Sequence, residues 1–301
     1  MWKKIKKDII TNKWVYVMTI PMLAYYIIFC YVPMYGASIA FKDFQPAVGI
    51  IGSPWVGFKH FESFFTGVYF VRTIRNTLIL SFELIIFGFP APIILALLFN
   101  EIRQNWFKRL AQTISYIPYF ISLVVMCGLI VNFTSSTGLI NDIIELLGGD
   151  RVTMLLHPQY YRPIYIISEI YQTVGWSSII YLAALSNVDS ELYEAAAIDG
   201  CGKLRMVSAV TLPSIMPTIV IMFILRIGSL MNIGYEKTLL LYNSSTFEVA
   251  DIISTFVYRK GLLEFSYSYS TAVGLFNSII NFALLLIANA ISRKVNETSL
   301  W

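Results

Sequence analysis

The sequence predicts an all-α polytopic membrane protein with six transmembrane helices, and three observations carry that prediction. Of 301 residues, 57% are hydrophobic and 13% charged, against about 45–50% and about 25% in ordinary soluble domains. Six apolar stretches are long enough, at about 1.5 Å per helical residue, to cross a hydrocarbon core of about 30 Å. Lysine and arginine are also shared unevenly between the connecting segments. This composition excludes a soluble enzyme and a disordered chain, which needs low hydrophobicity and high charge. The net charge of +4 is small and sits in particular loops, so nucleic acid is not the expected partner.

The spans fall at 14–34, 77–100, 112–134, 163–186, 214–234 and 269–291, in a single transmembrane domain over 1–301 without internal repeats. Each must be helical, because a loop or open strand facing lipid leaves backbone N–H and C=O groups without partners. The first span follows a lysine-rich start and precedes a small-x-small Ser38-Ile39-Ala40. Its apolar run of about 20 residues exceeds the usual 7–15 of a cleaved signal, so it reads as a retained helix. Residues 35–76 carry Gly, Pro and aromatic residues that form turns with anchors at headgroup level. Pro21, Pro90, Pro92 and Pro217 fall inside spans, where proline removes a backbone donor and kinks a helix.

Basic residues orient the chain. Segments 1–13, 101–111, 187–213 and 292–301, about 61 residues, hold 12 lysines and arginines, including Lys3, Lys4, Lys6 and Lys7. The opposite segments, about 104 residues, hold 9, among them Arg72, Arg162 and Lys237. The density is roughly double on the first side, which is the positive-inside bias and puts both termini in the cytoplasm.

Glu83, Glu169 and Arg226 lie within spans. Such charges cost roughly 2.5–3.5 kcal/mol each at the bilayer centre, so they face a protein interior, a cavity or a partner. All three sit near one depth, about 10 Å below the outer surface at about 1.5 Å per residue. The expectation is that Arg226 pairs with Glu169 or Glu83, with substrate contact or a face toward another subunit as alternatives. Glu169, Gln172, Thr173 and Trp176 share one face of the fourth span, as do Ser270, Gly274, Asn277 and Asn281 in the sixth. Each stripe suits either a helix-packing seam or a translocation path, where amides and carboxylates bond hydroxyls beside flat rings such as Trp176, Tyr25 and Tyr26. Cys30, Cys127 and Cys201 show no metal-like spacing, and His60 and His157 have no neighbours at ligand spacing, so no metal site and no disulfide is expected.

Segment 187–213 carries the strongest signal: Asp189 to Gly200 reads as a short capped helix ended by glycine, followed by Cys201-Gly202-Lys203 and Val210-Thr211-Leu212-Pro213. Successive alanines favour helix and leave a flat surface that another protein can approach closely. Glu194, Ala195 and Ala196, then Gly200, then Val210, Leu212 and Pro213 resemble the coupling signature of bacterial ABC importer permeases, with valine where isoleucine is more frequent. Tyr31-Val32-Pro33-Met34-Tyr35-Gly36, Ala40-Phe41-Lys42-Asp43-Phe44 and Gly52-Ser53-Pro54-Trp55-Val56-Gly57-Phe58-Lys59-His60-Phe61 are similar to the polysaccharide and oligosaccharide permeases of the carbohydrate-uptake class.

The resemblance implies the type I importer permease fold in a bacterial cell membrane. It further implies a second permease subunit, two ATP-binding subunits that grip the Glu194 and Gly200 loop, an extracellular solute-binding protein and an oligosaccharide substrate. No phosphate-binding Gly-x-x-x-x-Gly-Lys-[Ser/Thr] loop occurs, so ATP and magnesium are expected in partner subunits and no catalytic residue in this chain. On the intramembrane charges alone, an ion-coupled secondary transporter or a non-transport scaffold or sensor remains an alternative.

Overall fold

The computed structural model describes residues 10–296, with side chains through 294. Lys3, Lys4, Lys6 and Lys7, and with them part of the orientation argument, lie outside the described residues. Among the described residues the chain is helical, and the only strand-like pairing is an isolated antiparallel bridge between Lys42 and Trp55.

Four helices are long and apolar enough to cross a membrane: Lys13–Phe41, Phe70–Glu101, Lys203–Gly228 and Tyr267–Lys294. A fifth candidate is broken. Asn105–Phe120 and Leu123–Phe133 meet at 98°, so the expected 112–134 span is a bent pair. The bend has local causes: Pro118 sits in a tight turn, Ile117–Phe120, and Ser122 starts the next helix by accepting the N–H of Val125 on its hydroxyl. The expected fourth span lies in Pro158–Ser186, 29 residues, which is long enough but falls outside the apolar set. Its buried Ser168, Gln172 and Ser178 show why, since this helix meets protein rather than lipid on much of its surface. The structure thus gives four apolar spans, or five with the bent pair, where the sequence predicts six.

Three of the long helices contain a widened turn, at Tyr26–Tyr31, Leu84–Gly88 and Val207–Thr211. Each holds the residue four before a proline: Phe29 before Pro33, Ile86 before Pro90, Ala209 before Pro213. Proline offers no N–H to that carbonyl and its ring crowds it. The widened turn relieves both, with Phe89 N donating to Leu84 O at 3.1 Å five residues back.

The chain divides into two compact units. One comprises residues up to Gly67 with Val257–Leu275. Its first helix, Lys13–Phe41, buries none of its apolar window. The motifs at 40–44 and 52–61 pack on one another here: Asp43 N donates to Pro54 O and Val56 N to Phe41 O, Phe41 stacks on Trp55 at 5.6 Å, and Ser268 Oγ accepts from Phe44 N.

The other unit comprises Val68–Phe256 and the chain from Phe276. Pro158–Ser186 is its axis, packed most extensively on Pro90–Glu101. It also meets Asn105–Tyr116 so closely that a Cβ on Gly175 would run into the Ser115 carbonyl. A first apolar core gathers Leu80, Leu84, Met126, Tyr161, Tyr165 and Ile233, and a second Ala96, Tyr181, Leu185 and Ile215. The fifth span ends at Gly228, before the expected 234. The chain then folds back, burying Leu230, Met231 and Ile233, and Ser81 Oγ donates to Leu230 O.

Candidate functional site

Two features of the second unit bear on function. The first is the exposed helix Ser190–Ile198. Asp189, extended at its start, accepts the N–H of Glu191 on Oδ1 at 3.0 Å. At the other end Cys201 N donates to Ala196 O at 2.9 Å and Gly200 N to Ala197 O at 3.1 Å. This paired closure requires a left-handed residue, and Gly200 supplies it at φ +74°. Ala196 turns inward while Glu194, Ala195 and Gly200 face out. Beside the turn, Ile198 and Leu204 are 87% and 88% exposed. Lys203 Nζ approaches Glu101 at 3.7 Å, tying the turn to the end of Pro90–Glu101. Leu212 is half-buried and Pro213 exposed at the start of the long helix Leu212–Gly228, into which the chain runs from the turn.

The second feature is a cavity of about 310 Å³ whose largely apolar wall carries several polar side chains. Glu169, Thr173, Ser177 and Tyr181 line it from one helix at steps of four, and Met222, Leu225, Arg226 and Ser229 from another at three, four and seven. Phe89 and Pro92 close a third side.

The expected Arg226 pair is not formed in this structure. Glu169 Oε2 accepts instead from Lys237 Nζ at 2.8 Å. Lys237 is 2% exposed, donates also to Tyr165 O at 3.3 Å and lies 4.8 Å from the Tyr165 ring. The physical reason is the fold-back after Gly228, which carries Tyr235–Leu241 and its lysine inward from a segment that reads as an outer loop. Arg226 lines the same cavity and makes no ion pair among the described residues. Glu83 does not line it, and its Oε2 is buried without a hydrogen-bond partner among the described residues.

Of the other candidates, Gln172 is buried and donates to Ile121 O at 3.3 Å across the bent pair. Trp176 stacks on Tyr119 at 4.7 Å. Asn277 Nδ2 donates to Asn232 Oδ1 at 2.7 Å and Asn281 Oδ1 accepts from Met231 N at 2.9 Å, so both hold the fold-back segment. The structure brings Glu169, Thr173 and Arg226 together and leaves these four outside the cavity. Sequence reasoning missed Lys237, Ser177 and Tyr181, although the four-residue spacing from Glu169 was there to be read. No group of three or more His, Cys, Asp or Glu suited to a metal occurs among the described residues.

Helices apolar enough to span a bilayer, a cavity with polar side chains on its wall and a capped helix on an exposed loop define an integral membrane transport subunit. Residues 88–297 match the binding-protein-dependent transport system inner membrane component family, and the chain belongs to it. It is 45% identical to Protein LplB of Bacillus subtilis (strain 168), over 96% of this chain and 92% of that one. It is equally 45% identical to the polygalacturonan/rhamnogalacturonan transport system permease protein YteP of the same organism, over 99% and 94%. Among solved structures it resembles a bacterial ABC transporter involved in the import of the acidic polysaccharide alginate, with TM-score 0.91 and 41% identity over 97% of this chain and 99% of that one. A second structure of the alginate transporter, in complex with an alginate pentasaccharide-bound periplasmic protein, matches at TM-score 0.91 over 100% and 99%. The chain is the permease of an ATP-binding-cassette importer.

Proposed function

We propose that this permease, with a second permease subunit, moves an oligosaccharide delivered by an external binding protein, and that two separate ATP-binding subunits drive it through the Glu194–Gly200 turn. The observation that carries the reading is the exposed, doubly capped helix continuing through Gly200 into Leu212–Gly228, whose Arg226 lines the cavity. A ligand shifts a two-state protein only by its differential affinity for the states. ATP-driven closure of subunits gripping this turn supplies such a bias, alternating the cavity between outward and inward access. ATP and magnesium belong to those partners, and this chain carries no catalytic residue. The apolar stretch of Lys13–Phe41, none of which is buried, suits lipid or the second permease. Six spans, counting Pro158–Ser186 and the bent pair, with both termini cytoplasmic, complete the reading.

Saccharide cargo is supported by the names of YteP and the alginate transporter and by hydroxyl groups on Thr173, Ser177, Tyr181 and Ser229 beside the Phe89 ring. Uptake of a panel of labelled saccharides into vesicles holding the assembled complex tests it. Accumulation that requires both ATP and the binding protein is expected; uptake driven by an imposed ion gradient without ATP contradicts it.

A further inference from the structure

Among the cavity-lining residues only Glu169 and Arg226 carry charge, and their situations differ. The Glu169 carboxylate is compensated at 2.8 Å by Lys237, which is itself held by the Tyr165 carbonyl and ring and is shut off from solvent. Arg226 has no such compensation. Counting Lys237, Glu169 and Arg226 together, the cavity carries one net positive charge at a depth where charge is costly. A guanidinium kept there faces water and the ligand, and its planar fork matches a carboxylate with two parallel hydrogen bonds.

The geometry points to Arg226 as a specificity-determining residue that receives a carboxylate of the passing saccharide, so that the cargo is an acidic, uronate-type oligosaccharide. Lys237 is a positioning residue for this. By holding Glu169 it removes the carboxylate that would otherwise pair with Arg226 or repel the cargo. The hydroxyls of Thr173, Ser177 and Ser229 then meet sugar hydroxyls on either side. At about 310 Å³ the space is at the small end of ligand cavities, about 300–1,000 Å³. It therefore admits part of a chain at a time, and each uronate meets Arg226 in turn.

This inference rests on the saccharide-import reading, and the experiment separates the two. The assembled complex with its binding protein is placed in vesicles, and initial ATP-driven uptake of a galacturonate trisaccharide is compared with that of its neutral methyl ester. Wild type is expected to favour the acid. Because the binding protein is constant, a change in the acid-to-ester ratio reports the permease alone. Arg226→Gln is expected to lower that ratio at least tenfold, Arg226→Lys to retain part of it, and Lys237→Met, which frees Glu169, to lower it as well. The amount of assembled complex is measured for each variant, and Arg226→Lys with Lys237→Met keep the test decisive if Arg226→Gln fails to assemble. An unchanged ratio in the assembled variants, or a wild type indifferent to the charge, overturns the role of Arg226 and leaves saccharide import standing. Uptake of neither probe by wild type overturns the uronate assignment; no uptake of any saccharide of the panel overturns both.

Discussion

Lys237 and Glu169 do not stand in equivalent surroundings. Removing one member of a buried ion pair costs about 3–5 kcal/mol when the charge left behind is cut off from water. Lys237 is cut off, at 2% exposure, whereas the Glu169 side chain is 34% exposed at the cavity. Glu169→Gln should therefore lower the thermal unfolding midpoint of the assembled complex more than Lys237→Met; the opposite order would show that the lysine reaches water. Arg72 and Asp251 form a related pair at 3.1 Å, the guanidinium lying 4.8 Å from both the Tyr69 and Phe247 rings. Nothing local in the sequence reveals either pair, because each joins residues whose meeting depends on the fold-back after the fifth span. By contrast, the steps of four that place Thr173, Ser177 and Tyr181 with Glu169 are visible in one helix.

Between the bent pair and Pro158–Ser186, Arg151 hydrogen-bonds Asp142 at 2.7 Å and Glu145, and the hydrogen bond to Arg151 holds the Glu145 carboxyl below its usual range. A depressed carboxyl contributes stability above its unfolded pKa, and that contribution is lost as pH falls through the lowered value. Arg151→Gln removes that contribution at neutral pH already, because Glu145 then titrates alike in the folded and unfolded chain. Amide-exchange protection in Leu139–Leu146 should therefore be lower than in wild type at neutral pH and fall less on acidification. An equal acid-induced fall in both proteins would refute this.

At the scale of elements, the coupling turn is the part most legible beforehand. Asp189, the alanine run and Gly200 are adjacent in sequence, and caps are local physics: N–H and C=O groups at helix ends need partners within a few residues. The Asp189→Ala variant should cost about 1 kcal/mol of local helix stability. Gly200→Ala forces a Cβ into φ +74°, adding about 1–2 kcal/mol. Both should raise amide exchange across Ser190–Ile198 before affecting the rest of the protein. Gly175→Ala is of another kind, since its new methyl meets the Ser115 backbone and two helices must separate. Its assembled yield should fall well below that of wild type at equal expression. The widened turns were barely legible: of the prolines expected to disturb a span only Pro90 follows one, Pro21 and Pro217 lie inside helices, and the other two widened turns precede Pro33 and Pro213. The break after Pro118 was missed because the apolar run continues through it unaltered, and hydropathy does not register direction.

For the whole molecule, composition pointed to the membrane and local motifs to the capped helix that ends at Gly200, while span count and cavity depended on tertiary packing. Pro158–Ser186 shows the difference. Its polar residues dilute its hydropathy because they line the cavity or meet neighbouring helices, so the span that contributes Glu169, Thr173, Ser177 and Tyr181 to the cavity is the least lipid-like. A motor outside the membrane can act on that cavity only through something that protrudes, and the Glu194–Gly200 turn protrudes and leads into Leu212–Gly228. The most direct measurement is ATP-driven oligosaccharide uptake by vesicles carrying the complete complex with Glu194→Lys. The expected result is a variant that inserts and joins the second permease, binds the ATP-binding subunits at least tenfold more weakly, and accumulates no saccharide above background. Uptake at the wild-type rate would contradict the account.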